Sequence, residues 1–106
     1  MSYRHMRMLV MFDLPTITPK DKKEYTKFRK FLVREGFIMM QESIYTKIVL
    51  NGTASNLLRN KIKKNKPEDG LVQLLVITEK QFSSMEYLCG KDESTAVQSV
   101  ERLIIL

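Results

Sequence analysis

Cysteine and histidine are almost absent: this chain of 106 residues has one of each, Cys89 and His5. A lone thiol excludes an intramolecular disulfide framework and fits a reducing compartment, so the expected location is the cytoplasm. With no Cys/His cluster there is nothing to build a zinc site. His5 reads as a solvated residue, with a general-base role as the alternative. Long hydrophobic runs are missing too. Residues 8–12 are apolar, far short of the roughly 20 needed to span a bilayer, and no small-residue cleavage site follows them, so neither a secretory leader nor a membrane anchor is expected. No internal repeat and no low-complexity segment is found.

The chain does carry excess positive charge, 18 Lys and Arg against 12 Asp and Glu for a net charge of +6. Such a balance favours a polyanionic partner, nucleic acid before any other. The length suits one domain with a thin stability margin.

Residues 6–14, "MRMLVMFDL", read as a strand. The apolar run is too short for a helix, and Leu14-Pro15 stops it. Both parities are apolar, so both faces are expected to be covered. Thr18-Pro19 is a helix start, with a hydroxyl cap and proline at the first helical position. That helix is expected over 19–35, ended by Gly36, with Tyr25, Phe28, Phe31 and Leu32 as its apolar stripe. Two strands follow, 37–41 and 43–50, joined tightly around Glu42. After the "NGT" turn a second helix is expected over 54–65, with Leu57, Leu58 and Ile62 inward. A strand follows at 71–78. Residues 82–89 read as a short edge strand, and "ERLIIL" at 101–106 as a last one.

The order β-α-β-β-α-β is the ferredoxin-like α+β arrangement, two helices covering one face of an antiparallel sheet. The domain is placed at 1–90, with 91–106 a tail carrying an edge strand. The uncovered sheet face should be apolar, because both parities of the first strand are. Nothing else in so small a chain can cover it, so the expected partner is a second copy, a homodimer packed sheet on sheet. The tail strand pairs either with the partner subunit or within its own chain.

Charge is gathered unevenly. Lys20, Lys23, Lys27, Lys30 and Arg34 recur at spacings of 3 and 4, one stripe of the first helix, roughly opposite Phe28 and Leu32. Arg59, Lys61, Lys63, Lys64 and Lys66 follow, with no acid in 54–67. A solvated helix face is the bland reading, but such faces usually mix signs. The favoured reading is a grip on nucleic-acid backbone, shape before sequence, because lysines are point charges and carry no base code. An RNA-recognition module of the same topology is disfavoured: its aromatic RNP pattern is missing from "SIYTKIVL".

Asp13, the single acid closing the first strand, has two readings that residue chemistry leaves even. It either caps the Asp-Leu-Pro turn or holds a metal ion. Mg²⁺ is often held by only one or two carboxylates and can activate water at a phosphodiester. One Asp per chain is a poor site, but a twofold dimer makes it a pair.

Together these features resemble a known family. The apolar strand closing in Phe12-Asp13, the basic helix, Gly36-Phe37 and "QESIY" at 41–45 are similar to the pattern of CRISPR-associated protein two. The last matches its Q-x-S-V/I-F/Y signature. "NGTASNLLRNKIKKNKPEDGLVQLLVIT" is most similar to its type II branch in low-GC Gram-positive bacteria. The resemblance implies a homodimer of ferredoxin-like subunits. It implies a role in spacer acquisition: a duplex-DNA-binding scaffold bridging dimers of the CRISPR integrase subunit. It also implies a Mg²⁺-dependent endonuclease. Asp13 matches the metal-binding aspartate, catalytic in that reading, with Ser43 and Tyr45 at signature positions near it. An arginine that some relatives place there has no evident counterpart. A stand-alone endoribonuclease, like the toxin nucleases of similar fold, is the alternative, with RNA in place of DNA.

Overall fold

The computed structural model describes residues 5–90. Strand β1 (Met6–Asp13) is followed by helix α1 (Pro19–Arg34), strands β2 (Ile38–Gln41) and β3 (Ile44–Val49), and helix α2 (Gly52–Asn65). Strand β4 (Leu71–Thr78) and the short helix α3 (Glu79–Ser83) complete them. The four strands form one sheet in the order β2-β3-β1-β4. Every neighbouring pair is antiparallel, with Val10 opposite Tyr45 on one side and Leu74 on the other. This α+β architecture is compatible with the ferredoxin-like arrangement. The expected tail strand at 101–106 lies outside the described residues.

Helix α1 begins and ends where local chemistry directs. The Thr18 hydroxyl accepts from the Asp21 N–H at 3.0 Å and the Asp21 carboxylate accepts from the Thr18 N–H at 3.1 Å, a reciprocal capping box. A cap of this kind contributes about 1 kcal/mol. The Thr18 backbone N–H also holds the Asp21 carboxyl below its usual pKa. At the far end Gly36 adopts φ +96°. Its N–H bonds the Val33 carbonyl while that of Phe37 bonds the Leu32 carbonyl, each at 3.0 Å. This closure needs a left-handed residue, which glycine supplies without strain. Phe37 then turns back into the core.

The core lies between the helices and one sheet face. Met8, Val10, Phe12 and Leu14 from β1 and its exit meet Phe28, Phe31 and Leu32 of α1, Tyr45 and Val49 of β3, and Leu58 and Ile62 of α2. Burying each large side chain is worth about 1.5–3 kcal/mol before ordering costs. The inward face of α2 differs from the expectation in one residue. Leu57 is 65% exposed and Ser55 is buried in its place, because 55, 58 and 62 share a helical stripe from which 57 is turned by about 100°.

The opposite sheet face carries Arg7, Leu9, Met11 and Asp13 of β1, Ile44, Thr46 and Ile48 of β3, and Leu71, Gln73, Leu75 and Ile77 of β4. It is dominated by apolar side chains, as expected, and no long helix covers it. Its rim at the end of β4 overturns another expectation. Residues 82–89 form no strand. Instead Thr78 and Gln81 make a second capping box that starts α3. Glu79 of α3 pairs with Arg7 through both guanidinium contacts, and the Arg7 guanidinium lies 4.1 Å from the Phe82 ring centre. The chain is therefore turned onto β1 and β4 instead of extending along the edge.

Candidate nucleic-acid interface and carboxylate site

Asp13 is the last residue of β1, on the sheet face that the long helices leave open and in register with Leu71. It is exposed, and among the described residues its carboxylate has no hydrogen-bond or ion-pair partner. The turn-cap reading therefore lacks the contact it requires. The backbone around it is tightly held. The Phe12 N–H bonds the Ser43 carbonyl at 3.0 Å, so the first signature residue pins the chain one position before Asp13. On the other side Gly70, at φ +96°, brings the loop before β4 against this strand end. A methyl group at Gly70 would lie 2.8 Å from the Asp13 carbonyl oxygen and 2.8 Å from the Leu14 side chain.

Gly70→Ala is accordingly expected to be among the costlier single changes. It combines an unfavourable backbone region with a backbone clash, each on the order of 1–3 kcal/mol. Thermal melting should show a drop of several degrees, and the chemical shifts of Asp13 and Leu14 should move. An unchanged melting temperature would contradict the close approach.

The second signature residue acts elsewhere. Tyr45 is 1% exposed and lies under the helices, on the opposite side of the sheet from Asp13. Its ring stacks on Phe12, with centroids 5.7 Å apart and an interplanar angle of 26°. Phe12 also meets Tyr25 and Phe28 edge-on at 6.0 and 5.3 Å. Tyr45 thus bears on Asp13 only through the residue before it. Its hydroxyl accepts from Arg29 Nε at 2.9 Å. This hydrogen bond, reinforced by electrostatic attraction, holds the Arg29 guanidinium still more firmly protonated.

As a metal site, Asp13 offers one hard oxygen donor. Among the described residues no group of three or more His, Cys, Asp or Glu could hold an ion. That donor fits a Mg²⁺ kept largely hydrated and excludes a closed protein cage within this part of the chain.

Lys20, Lys23, Lys27, Lys30 and Arg34 of α1 are all exposed. They lie to one side of the core stripe, not opposite it. Lys23, Lys27, Lys30 and Arg34 share an open hollow of about 650 Å³ with Phe31 and with Asn65 of α2, whereas Lys20 and Lys27 border a second cleft of about 290 Å³ of mixed charge, lined also by Lys66, Asp21, Glu24, Glu68 and Asp69. The displacement follows from spacing: the five cations are turned by about 80–160° from Phe28, all to the same side, so the stripe occupies the flank toward α2. The acids of α1, Asp21 and Glu24, lie with Glu35 on the core side of the helix and are less exposed. Lys22 and Arg29 extend the cationic surface around the rest of the helix.

The α2 cations are not gathered in this way. Lys61 pairs with Glu35 at 3.1 Å, Arg59 is half-buried with one guanidinium nitrogen 3.4 Å from Asn56 Oδ1, and Lys63 and Lys64 point outward. The residues missed in sequence reading are Arg29, Lys22 and Gly70. Glycine followed by a strand was a visible signal for the last; the Arg29–Tyr45 pairing, across 16 positions, had none.

The chain is thus a two-layer α+β domain with a cationic surface on its first helix and a lone carboxylate at a strand end. The family model for "CRISPR associated protein Cas2" matches residues 6–85, and the chain belongs to that family. Among curated relatives, a Treponema denticola protein is 46% identical over 95% of this chain and 100% of its own length, and a Streptococcus mutans protein is 48% identical over 95% and 93%. A Ligilactobacillus salivarius protein is 44% identical over 95% of this chain and all of its own. Each bears the name CRISPR-associated endoribonuclease Cas2.

Proposed function

We propose that this protein serves CRISPR adaptation as a homodimeric clamp on duplex DNA, bridging dimers of the integrase subunit, with Mg²⁺-dependent endonuclease activity as a separable property of Asp13. The observation that carries the reading is the cationic surface of α1, seven bases from Lys20 to Arg34 against two acids, Asp21 and Glu24. Point charges spread along 16 residues of helix suit regularly spaced phosphates and impose little sequence preference.

The dimer reading is supported by the open sheet face. Leu71, Leu75, Ile48 and Ile38 are between 43% and 54% exposed on it or at its edge, an apolar continuity that soluble monomers rarely present. The Thr46 hydroxyl is buried in the same face without a hydrogen-bond partner among the described residues. Two copies packed through these faces would carry two Asp13 side chains on the shared surface. Mg²⁺, if bound there, supplies charge neutralisation and an activated water; Asp13 orients it, and α1 holds the backbone.

Endonuclease action on RNA is the second reading, favoured by the name the relatives carry. In sedimentation, the protein is expected to run as a dimer and bind one duplex per two chains, whereas Leu75→Lys runs as a monomer with much weaker binding. A monomeric wild-type chain with full duplex affinity would contradict the clamp.

A further inference from the structure

We infer that Arg29 and Tyr45 form a pre-ordered phosphodiester anchor at the β2–β3 side of α1. The inference rests on the reading of α1 as a backbone-binding surface and adds to it a site of different chemistry. Tyr45 is 1% exposed and its ring is stacked on Phe12, so its hydroxyl is a fixed acceptor. It takes the Nε–H of Arg29 at 2.9 Å. The guanidinium carbon also lies 5.8 Å from the centre of the Tyr25 ring. Two contacts therefore orient a long side chain that is otherwise exposed, and much of its rotamer freedom is already gone before any ligand arrives.

The hydrogen bond to Tyr45 consumes only Nε. Among the described residues the ion pairs are Arg7 with Glu79 and Lys61 with Glu35, and neither terminal nitrogen of Arg29 is committed to an acid. Glu42, in the β2–β3 turn, makes no ion pair with the guanidinium among the described residues. The free edge borders an open hollow of about 370 Å³ whose other walls are Thr26, Lys30, Val33 and Arg34. Lys30 and Arg34 also border the hollow toward α2, so the two are continuous across the helix. A planar fork with two free N–H groups is suited to two oxygens of one phosphate, which a lysine cannot match. Arg29 thus fixes where the backbone leaves the lysine track, and Tyr45 is its positioning residue.

The test is a double-mutant cycle read in duplex-DNA affinity by fluorescence anisotropy across a salt series, with thermal melting alongside. Tyr45→Phe keeps every charge and the stacked ring; it is expected to weaken binding about 3–10-fold with the salt slope unchanged. Arg29→Lys should weaken binding similarly, and Tyr45→Phe added to it should cost nothing more, because the oriented fork is already gone. Arg29→Ala should reduce the salt slope by about 0.9. Tyr45→Phe binding within about twofold of wild type, or additive losses in the double variant, overturns the anchor; destabilisation alone would lower the melting temperature without this coupling in affinity. If Lys23, Lys27 and Lys30 replaced by Glu leave binding intact, the broader α1 reading fails, whatever the cycle shows. A wild-type chain that does not bind duplex overturns both.

Discussion

Replacing Lys23, Lys27 and Lys30 together by Glu is expected to lower duplex affinity by at least about 100-fold near physiological salt. Three phosphates are no longer neutralised and three repulsive charges are installed. The slope of log affinity against log salt should flatten by about 2.7, at roughly 0.9 for each phosphate no longer held. Each exchange changes the charge by two, so the net charge of +6 falls to zero. All three side chains are exposed and none is in an ion pair among the described residues, so the melting temperature should change little. The core stripe of Phe28, Phe31 and Leu32 is untouched. Anisotropy with a short duplex, paired with circular dichroism, measures both quantities. Binding that persists at moderate salt would reduce this surface to a solvated helix face.

Asp13→Ala is expected to abolish Mg²⁺-dependent cleavage by the purified protein, a loss of at least about 100-fold, while leaving duplex affinity within about twofold. The fold should tolerate the change, since the carboxylate has no partner among the described residues and the strand end is held by the Phe12–Ser43 hydrogen bond. Binding should be insensitive because the lysines lie on α1, over the face of the sheet opposite Asp13. Incubation of labelled duplex and single-stranded RNA with each protein, with and without Mg²⁺, gives the comparison. Cleavage surviving in Asp13→Ala would remove the residue from that role.

Periodicity made much of the fold legible. The two-sided apolarity of residues 8–12 anticipated a sheet with a buried face and an open apolar face. Thr18-Pro19 and Gly36 marked the limits of α1 because caps act within one turn. Where apolar residues competed for the same stripe, local pattern was insufficient: Leu57 and Leu58 are adjacent, and only packing on the sheet selected Leu58. The stretch after β4 was legible in principle, since "TEKQ" is a capping box of the kind recognised at Thr18, but the apolar residues beyond it resemble an edge strand more strongly. Side-chain pairings across the fold were not legible. Nothing in the spacing of Arg29 and Tyr45, or of Arg7 and Glu79, announces a contact. The position of Asp13 relative to the cationic surface likewise depended on strand register, which a sequence shows only as alternation.

In the proposed function the grip on nucleic acid, in α1, is separate from the chemistry of one carboxylate, and the biological role belongs to the grip. Spacer acquisition in cells whose only copy carries Asp13→Ala tests that division most directly. Uptake near the wild-type level is the predicted result, and uptake reduced to background, with the protein present at normal abundance and still binding duplex, would contradict it.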